Sequence, residues 1–469
     1  MKNKFVILTI LLIAILIGVS IFTMSKGSAV IEVDNSDFKM LPIPALLEDT
    51  NPDPNVSDFF IDVKEGSLEF IKGRITPTLG YNGDYLGPVV KVSSGDLVNM
   101  HVNNKLSDST SVHWHGLEVK GSVDGGPHQV IESGSLWEPT LMIDQPAATL
   151  WFHPHVIGTT ATQVYYGLAG LIIVEDENSK ALNLPDEYGV NDIPLIIQDR
   201  SFNSDGSFAY INTMISGAVG DNILVNGAIK PYLEVEQVKM RFRILNGANA
   251  SNFNLTMSDN SEFYQIASDG GLFEEAIISD NLFVSPGERY EIIVDFSKYK
   301  NGDIIELRSY DELVMTFTVG DKTEDLSEIP KILSTIEKMD ESLATSVKTI
   351  ELNGTGHMVT LNGKKFDMNR IDDNVLLDDV EIWEITSSGG MMSGMGHPFH
   401  IHGTQFQILT RNGEEPRDVE GGWKDTVYVR TGETVRVIVK FKNEGVYMYH
   451  CHILEHEEDG MMGQLEVIK

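Results

Sequence analysis

Four histidine pairs of the form His-x-His punctuate the chain: His113-Trp-His115, His153-Pro-His155, His400-Ile-His402 and His450-Cys-His452. Scattering 13 histidines at random over 469 residues would give roughly 0.4 such pairs, so chance is a poor account of four. In an extended strand, residues two apart project from one face, and each pair presents two imidazoles side by side. Four pairs can therefore offer eight nitrogens to one site. Imidazole suits copper, zinc, iron and nickel alike, so the pairs point to a metal cluster without naming the metal.

A second constellation narrows the choice. The segment His397-Pro-Phe-His-Ile-His-Gly is followed by His450-Cys-His-Ile-Leu-Glu-His456-Glu-Glu-Asp-Gly-Met461. One thiolate (Cys451), two imidazoles (His397 and His456) and one thioether (Met461, with Met462 as a rival) match the His2Cys set with a weak axial Met that marks a blue-copper electron-transfer centre. Most free cysteines are inert buried thiols, but one placed between two histidines reads as a ligand. Strand alternation turns Cys451 one way and His450 and His452 the other. The cysteine then serves the blue site while its neighbours reach the eight-histidine cluster, and covalent bonds join the two.

Strands must position these groups. Short runs rich in Val, Ile, Phe and Tyr are broken about every ten residues by Gly, Asn, Asp and Pro, a pattern of all-β sandwiches. Three units, residues 40–178, 192–320 and 346–469, are separated by polar linkers at Glu175 to Asn191 and Val319 to Ser346. Related strand signatures recur: Pro88-Val-Val-Lys-Val with Leu97-Val-Asn-Met-His-Val, Tyr232-Leu-Glu-Val with Met240-Arg-Phe-Arg-Ile-Leu, and Val380-Glu-Ile-Trp-Glu-Ile. Strands after Gly-containing turns, at Glu288 to Phe296 and Glu433 to Phe441, suit the closing strands of a Greek key. The expected architecture is three tandem Greek-key β-sandwiches. No histidine lies between Gly158 and Asn353, so the middle unit supplies no imidazole and is expected to set the geometry between its neighbours.

Composition excludes several functions. A formal net charge of −34 leaves no basic patch for nucleic acid or anionic lipid; solubility alone accounts for it, though an acidic surface also attracts cations. A single cysteine excludes an intramolecular disulfide framework. Lys2 and Lys4 precede an uncharged apolar run of 18 residues from Phe5 to Phe22, so residues 1–29 read as a signal peptide or an N-terminal membrane anchor, with Gly27 and Ala29 offering a cleavage site. No cysteine follows it, which excludes a lipoprotein anchor, and no twin arginine is present. Either way, the body of the protein is expected outside the cytoplasm, secreted or held in the cell envelope.

From about Leu41 to Lys469 the chain resembles the bacterial three-domain multicopper oxidases, in the copper-efflux oxidase and laccase branch. The four histidine motifs carry the likeness, together with segments that bind no metal: Asp144-Gln-Pro-Ala-Ala, Gly167-Leu-Ala-Gly-Leu, Ala267-Ser-Asp-Gly-Gly-Leu and Gly422-Trp-Lys-Asp-Thr-Val. The resemblance implies three cupredoxin-like domains and four copper ions. His397, Cys451, His456 and Met461 would bind the type 1 copper, and His113 and His400 the type 2 copper. His115, His153, His155, His402, His450 and His452 would bind the type 3 pair. His101, His128 and His357 match no ligand position and read as structural or surface residues. Set against the third unit, the first places Pro154 where Cys451 stands and Thr110 where His397 stands, so it lends histidines to the cluster without a blue site of its own.

The reaction this implies takes electrons singly from a small reducing substrate through Cys451, His450 and His452, and uses four to reduce dioxygen (O2) to two waters. Four protons are consumed, and acidic groups must deliver them. Asp124, in Glu118-Val-Lys-Gly-Ser-Val-Asp-Gly-Gly-Pro, and Glu457 match the relay positions. The chain departs from the cuprous oxidases of the branch in lacking a long methionine-rich insert: only Asn353 to Met358 stand there. Met395 matches one substrate-copper ligand, Ser393 replaces an acidic one, and Met391 and Met392 could compensate. Phenols and aromatic amines are thus the expected substrates, with Cu(I) or Fe(II) oxidation in copper tolerance as the alternative. Relatives that lost copper ligands serve as envelope scaffolds, a role the complete ligand set here disfavours.

Overall fold

The computed structural model of the chain describes residues 39–213, 216–388 and 395–469. The apolar N-terminal run and Met391, Met392 and Ser393 lie outside the described residues. Among those described, no helix is long and apolar enough to cross a membrane.

Alternation of apolar and polar side chains builds the first sandwich. In Leu97–Asn104, Val98, Met100 and Val102 point inward; this strand pairs in parallel with Val56–Ile71 and antiparallel with Leu136–Trp137 and Thr140–Met142. The facing sheet holds Val90–Ser93, Gly170–Glu175 and Ala148–Phe152. The middle sandwich sets a seven-stranded sheet, with Lys239–Asn246 and Arg289–Asp295 at its centre, against a five-stranded one. In the third, one sheet orders Val380–Ser388 beside Ala344–Asn353 and Thr434–Lys440, and the other orders His397–Ile401 between Gly445–Cys451 and Thr426–Val429. The protein is thus all-β, with three cupredoxin-like sandwiches in tandem, each around its own apolar core.

The histidine-bearing strands differ from the rest. Ala148–Phe152 and His397–Ile401 are buried at every position, as are the last residues of Gly445–Cys451. One face meets its own core and the other meets a neighbouring sandwich, the condition that gives a strand a continuous buried run.

The linkers are less polar than the sequence suggests. Leu184 from the first, and Leu333 and Ile336 from the second, are buried; Leu184 and Leu333 join one apolar cluster with Ile266, Leu272 and Ile293. The linkers also bond each other, with Glu328 N–H donating to Asn183 O at 2.7 Å and Asn178 Nδ2 to Leu333 O at 2.8 Å. Isolated leucines among polar residues give no periodic signal, so this packing is invisible to pattern reading.

Candidate metal centre

Backbone pairing brings the motifs into register. His113 and His153 exchange main-chain hydrogen bonds of 2.8 and 3.2 Å in the first sandwich, and His400 stands opposite His450 in the third. The residues between the paired histidines turn the other way: Trp114 enters the first core, and Ile401 and Cys451 the third. All eight imidazoles consequently meet where the first and third sandwiches abut. All are at most 1% exposed.

The cluster has an approximate twofold arrangement. His113 stacks on His402 and His115 on His400, each pair with ring centroids 3.7 Å apart. Two triads form beside these stacks: His155, His402 and His450, with ring separations of 4.8 to 5.2 Å, and His115, His153 and His452, with separations of 5.1 to 5.7 Å.

Hydrogen bonds fix most of the tautomers. A carbonyl oxygen can only accept, so a ring nitrogen against one must carry the proton. His113 Nδ1 lies 3.0 Å from Asp124 O, His153 Nδ1 2.9 Å from Pro154 O, His400 Nδ1 2.9 Å from Asp425 O and His450 Nδ1 3.1 Å from Cys451 O. In these rings Nε2 is the bare donor. His402 follows, its Nδ1 lying 2.8 Å from Asp124 Oδ2. His115 is reversed: Nε2 lies 3.0 Å from Asp425 Oδ1, and Nδ1 has no partner.

The donor set fits metal ions. Nε2 of His113, His153 and His400, Nδ1 of His115 and both nitrogens of His452 are buried without a hydrogen-bond partner, a costly state for polar atoms unless something binds them. His450 Nε2 stands 3.2 Å from His155 Nε2 and 3.1 Å from His402 Nε2. Ligands each about 2 Å from one ion stand roughly 3 to 3.5 Å apart. Burial first, then the neighbouring imidazoles, holds His153, His155, His402 and His450 well below the ordinary histidine range, which keeps them neutral.

The second constellation assembles in the third sandwich. Cys451 Sγ lies 3.5 Å from His397 Nδ1 and 3.8 Å from His456 Nδ1, and accepts from the Ile453 N–H at 3.4 Å. Main-chain bonds from Cys451 N–H to Met461 O and from Met461 N–H to His456 O bind the loop that carries Met461. Burial pushes the Cys451 thiol up, so a cation at Sγ is what would ionise it. Burial and then His456 pull His397 down to about 3. In the first sandwich, Thr110 stands in the corresponding place and donates to Gln163 Oε1 at 2.8 Å.

Both carboxylates picked out from the sequence touch the cluster. Asp124 meets His113 and His402; Glu457 Oε1 lies 3.3 Å from His155 Nδ1 and Oε2 3.3 Å from His450 Nδ1. Burial, then Glu458 and Glu455, raises Glu457 well above the usual carboxyl range. His101, His128 and His357 join none of these groups and bond instead to Glu138, Gln464 and Asp459. Met395 is half-buried against the third core.

Sequence reading missed a third carboxylate. Asp425 approaches His115 and His400, and Arg289 of the middle sandwich grips it with two bonds, Nη1 to Oδ1 at 2.7 Å and Nη2 to Oδ2 at 2.6 Å. Burial alone would raise the Asp425 carboxyl; Arg289 and His115 outweigh it and hold it well below the usual range. Asp269 and Lys424 pack alongside, joined at 2.9 Å. Asp269, Lys424 and Asp425 all sit in segments that carry the family likeness but no metal ligand, and this was the available signal. The middle sandwich also presses Gly287 against His452: a Cβ there would stand 2.9 Å from the ring.

Three all-β sandwiches enclosing a buried cluster of imidazoles beside a cysteine-histidine site define a copper-binding oxidoreductase. The chain belongs to the multicopper oxidase family, whose profiles match residues 62–179, 186–304 and 336–469. It is 43% identical to the multicopper oxidase mco of Staphylococcus epidermidis over 90% of this chain and 91% of that one. The laccase structure of Pediococcus acidilactici superposes with a TM-score of 0.90 at 38% identity, covering 94% of this chain and 95% of the other. Cell division protein FtsP of Photorhabdus laumondii is 33% identical over 96% of this chain and 98% of that one.

Proposed function

We propose that the protein is a laccase-like oxidase that takes electrons singly from phenols and aromatic amines and uses four to reduce dioxygen to water. His397, Cys451, His456 and Met461 hold the type 1 copper. His113 and His400 hold the type 2 copper. The triads His115, His153, His452 and His155, His402, His450 each hold one of the type 3 pair. Copper at these residues supplies the one-electron chemistry between substrate and dioxygen. Cys451 provides the shortest path, since its main chain continues into His450 and His452. Asp124 and Glu457 supply protons at the Nδ1 side of the imidazoles they touch.

The observation that supports the substrate reading is a tight hairpin. Leu352 pairs with Leu361 and Asn353 with Thr360, so only residues 354–359 span the place where a lid would rise. Gly354 hydrogen-bonds His397 through its backbone, and His357 Nδ1 meets Asp459 Oδ2 at 2.6 Å, so this short loop lies beside the electron-accepting site. A loop this short suits bulky aromatic donors better than a long lid would. Oxidation of Cu(I) or Fe(II) in copper tolerance is a second reading, favoured by Met395 two residues before His397 and by Met358, 81% exposed on the hairpin. A scaffold role, as the likeness to FtsP raises, does not need the buried, unpartnered nitrogens. The apolar run at residues 5–22 supports a place outside the cytoplasm, exported or anchored.

The test is kcat/KM for a dimethoxyphenol, Cu(I) and Fe(II) on the copper-loaded protein. Preference for the phenol is expected; a strong preference for Cu(I) would overturn the substrate ranking.

A further inference from the structure

Asp425 and Asp124 stand in matching places about the cluster. Asp124 holds His113 through its main-chain oxygen and His402 through Oδ2; Asp425 holds His400 through its main-chain oxygen and His115 through Oδ1. Each thus grips the first histidine of one His-x-His pair and the second of a pair from the other sandwich. The surroundings differ. Asp124 Oδ1 has no hydrogen-bond partner, and among the described residues no lysine or arginine pairs with Asp124. Asp425 Oδ1 accepts from Arg289, Thr426 Oγ1 and His115, while Oδ2 accepts from Arg289 and from Gln405 Nε2 at 2.9 Å. Arg289 is itself immobilised: Nε donates to Thr149 O, Nη1 to Gly287 O and Nη2 to Asp269 O, so every nitrogen of the fork is engaged.

We propose that Asp425, clamped by Arg289 of the middle sandwich, is a positioning residue that keeps the His115 proton on Nε2 and thereby makes Nδ1 the metal donor of that ring. This rests on the copper-cluster reading above. Asp425 does not shuttle protons; its two oxygens are saturated by fixed donors, whereas Asp124 keeps one oxygen free. The middle sandwich, with no histidine of its own, completes the cluster through Arg289. The cavity of about 370 Å³ lined by Glu118, Gln145, Gln405 and Trp423 ends on Gln405, whose Nε2 bridges Gly116 O and Asp425, so the clamp is braced from that side as well.

The test uses the copper-loaded protein. In Asp425→Asn an amide NH2 must face either His115 or Arg289, and the arrangement fails. Copper affinity at the cluster is expected to fall about 10- to 100-fold, read as copper lost to a chelator that leaves wild type intact, with the blue absorption of the Cys451 site retained. Arg289→Lys, which keeps the charge without the fork, should lose less. Independently of any variant, 15N NMR of the fully reduced, diamagnetic Cu(I) protein should show His115 protonated on Nε2. Unchanged copper retention in Asp425→Asn, or a wild-type His115 protonated on Nδ1, would overturn the proposal. A wild type with no blue absorption would instead overturn the copper-oxidase reading.

Discussion

Asp124 and Asp425 bind the same two kinds of atom, one imidazole through the main-chain carbonyl and one through the carboxylate, yet only Asp425 is gripped by an arginine. Two related sandwiches meeting face to face produce the likeness. The middle sandwich produces the difference, because Arg289 reaches one side of the cluster and not the other. A carboxylate saturated by a guanidinium is a fixed charge, whereas one with an open oxygen can exchange a proton.

Asp124→Asn should therefore preserve the bond to His402 and remove the titratable oxygen. Reoxidation by dioxygen is expected to slow by about 10² or more, the lower end for a positioned general acid, while reduction of the type 1 copper keeps its rate. Glu457→Gln should behave alike. Stopped-flow traces of the two half-reactions check this, and unchanged reoxidation in both variants would reject the relay.

Acid stability has a separate source. Burial would raise the Glu420 carboxyl, but Arg417 and Arg411 bring it down to about 2. A depressed carboxyl contributes stability above its unfolded value near 4.5, and that contribution is lost as pH falls toward 2. Glu420→Gln should thus be roughly 2–3 kcal/mol less stable than wild type at pH 7, with the gap mostly gone by about pH 2. Urea midpoints at both pH values decide it; a gap independent of pH would contradict the assignment.

Gly287 offers a mechanical test of the middle sandwich. Its φ of +85° is the left-handed region, and a Cβ would press on His452. Gly287→Ala should cost about 1–2 kcal/mol from the backbone alone. It should also displace His452, lowering cluster copper while the blue absorption stays. Equal copper in variant and wild type would show that the ring yields freely.

That the four histidine pairs would gather in one place was legible because strand alternation has a period of two, and a His-x-His motif declares which face it uses. The three sandwiches were legible from recurring strand signatures such as Glu288 to Phe296 and Glu433 to Phe441. Arg289, Asp269, Lys424 and Asp425 were not. They are charged residues from two units; Lys424 and Asp425 are neighbours, but Asp269, Arg289 and that pair stand 20 to 156 positions apart, and no local pattern reports that they meet in the core. The sequence indicates only that the middle unit spaces its neighbours; that it grips Asp425 and packs Gly287 against His452 is visible only in the fold.

The central claim is that Cys451 joins an electron-accepting site to an oxygen-reducing cluster. The most direct measurement is Cys451→Ser, assayed for visible absorption and dioxygen consumption with a phenol donor. Loss of the blue absorption together with turnover, with cluster copper retained, is the predicted result. Retained turnover in that variant would contradict the account.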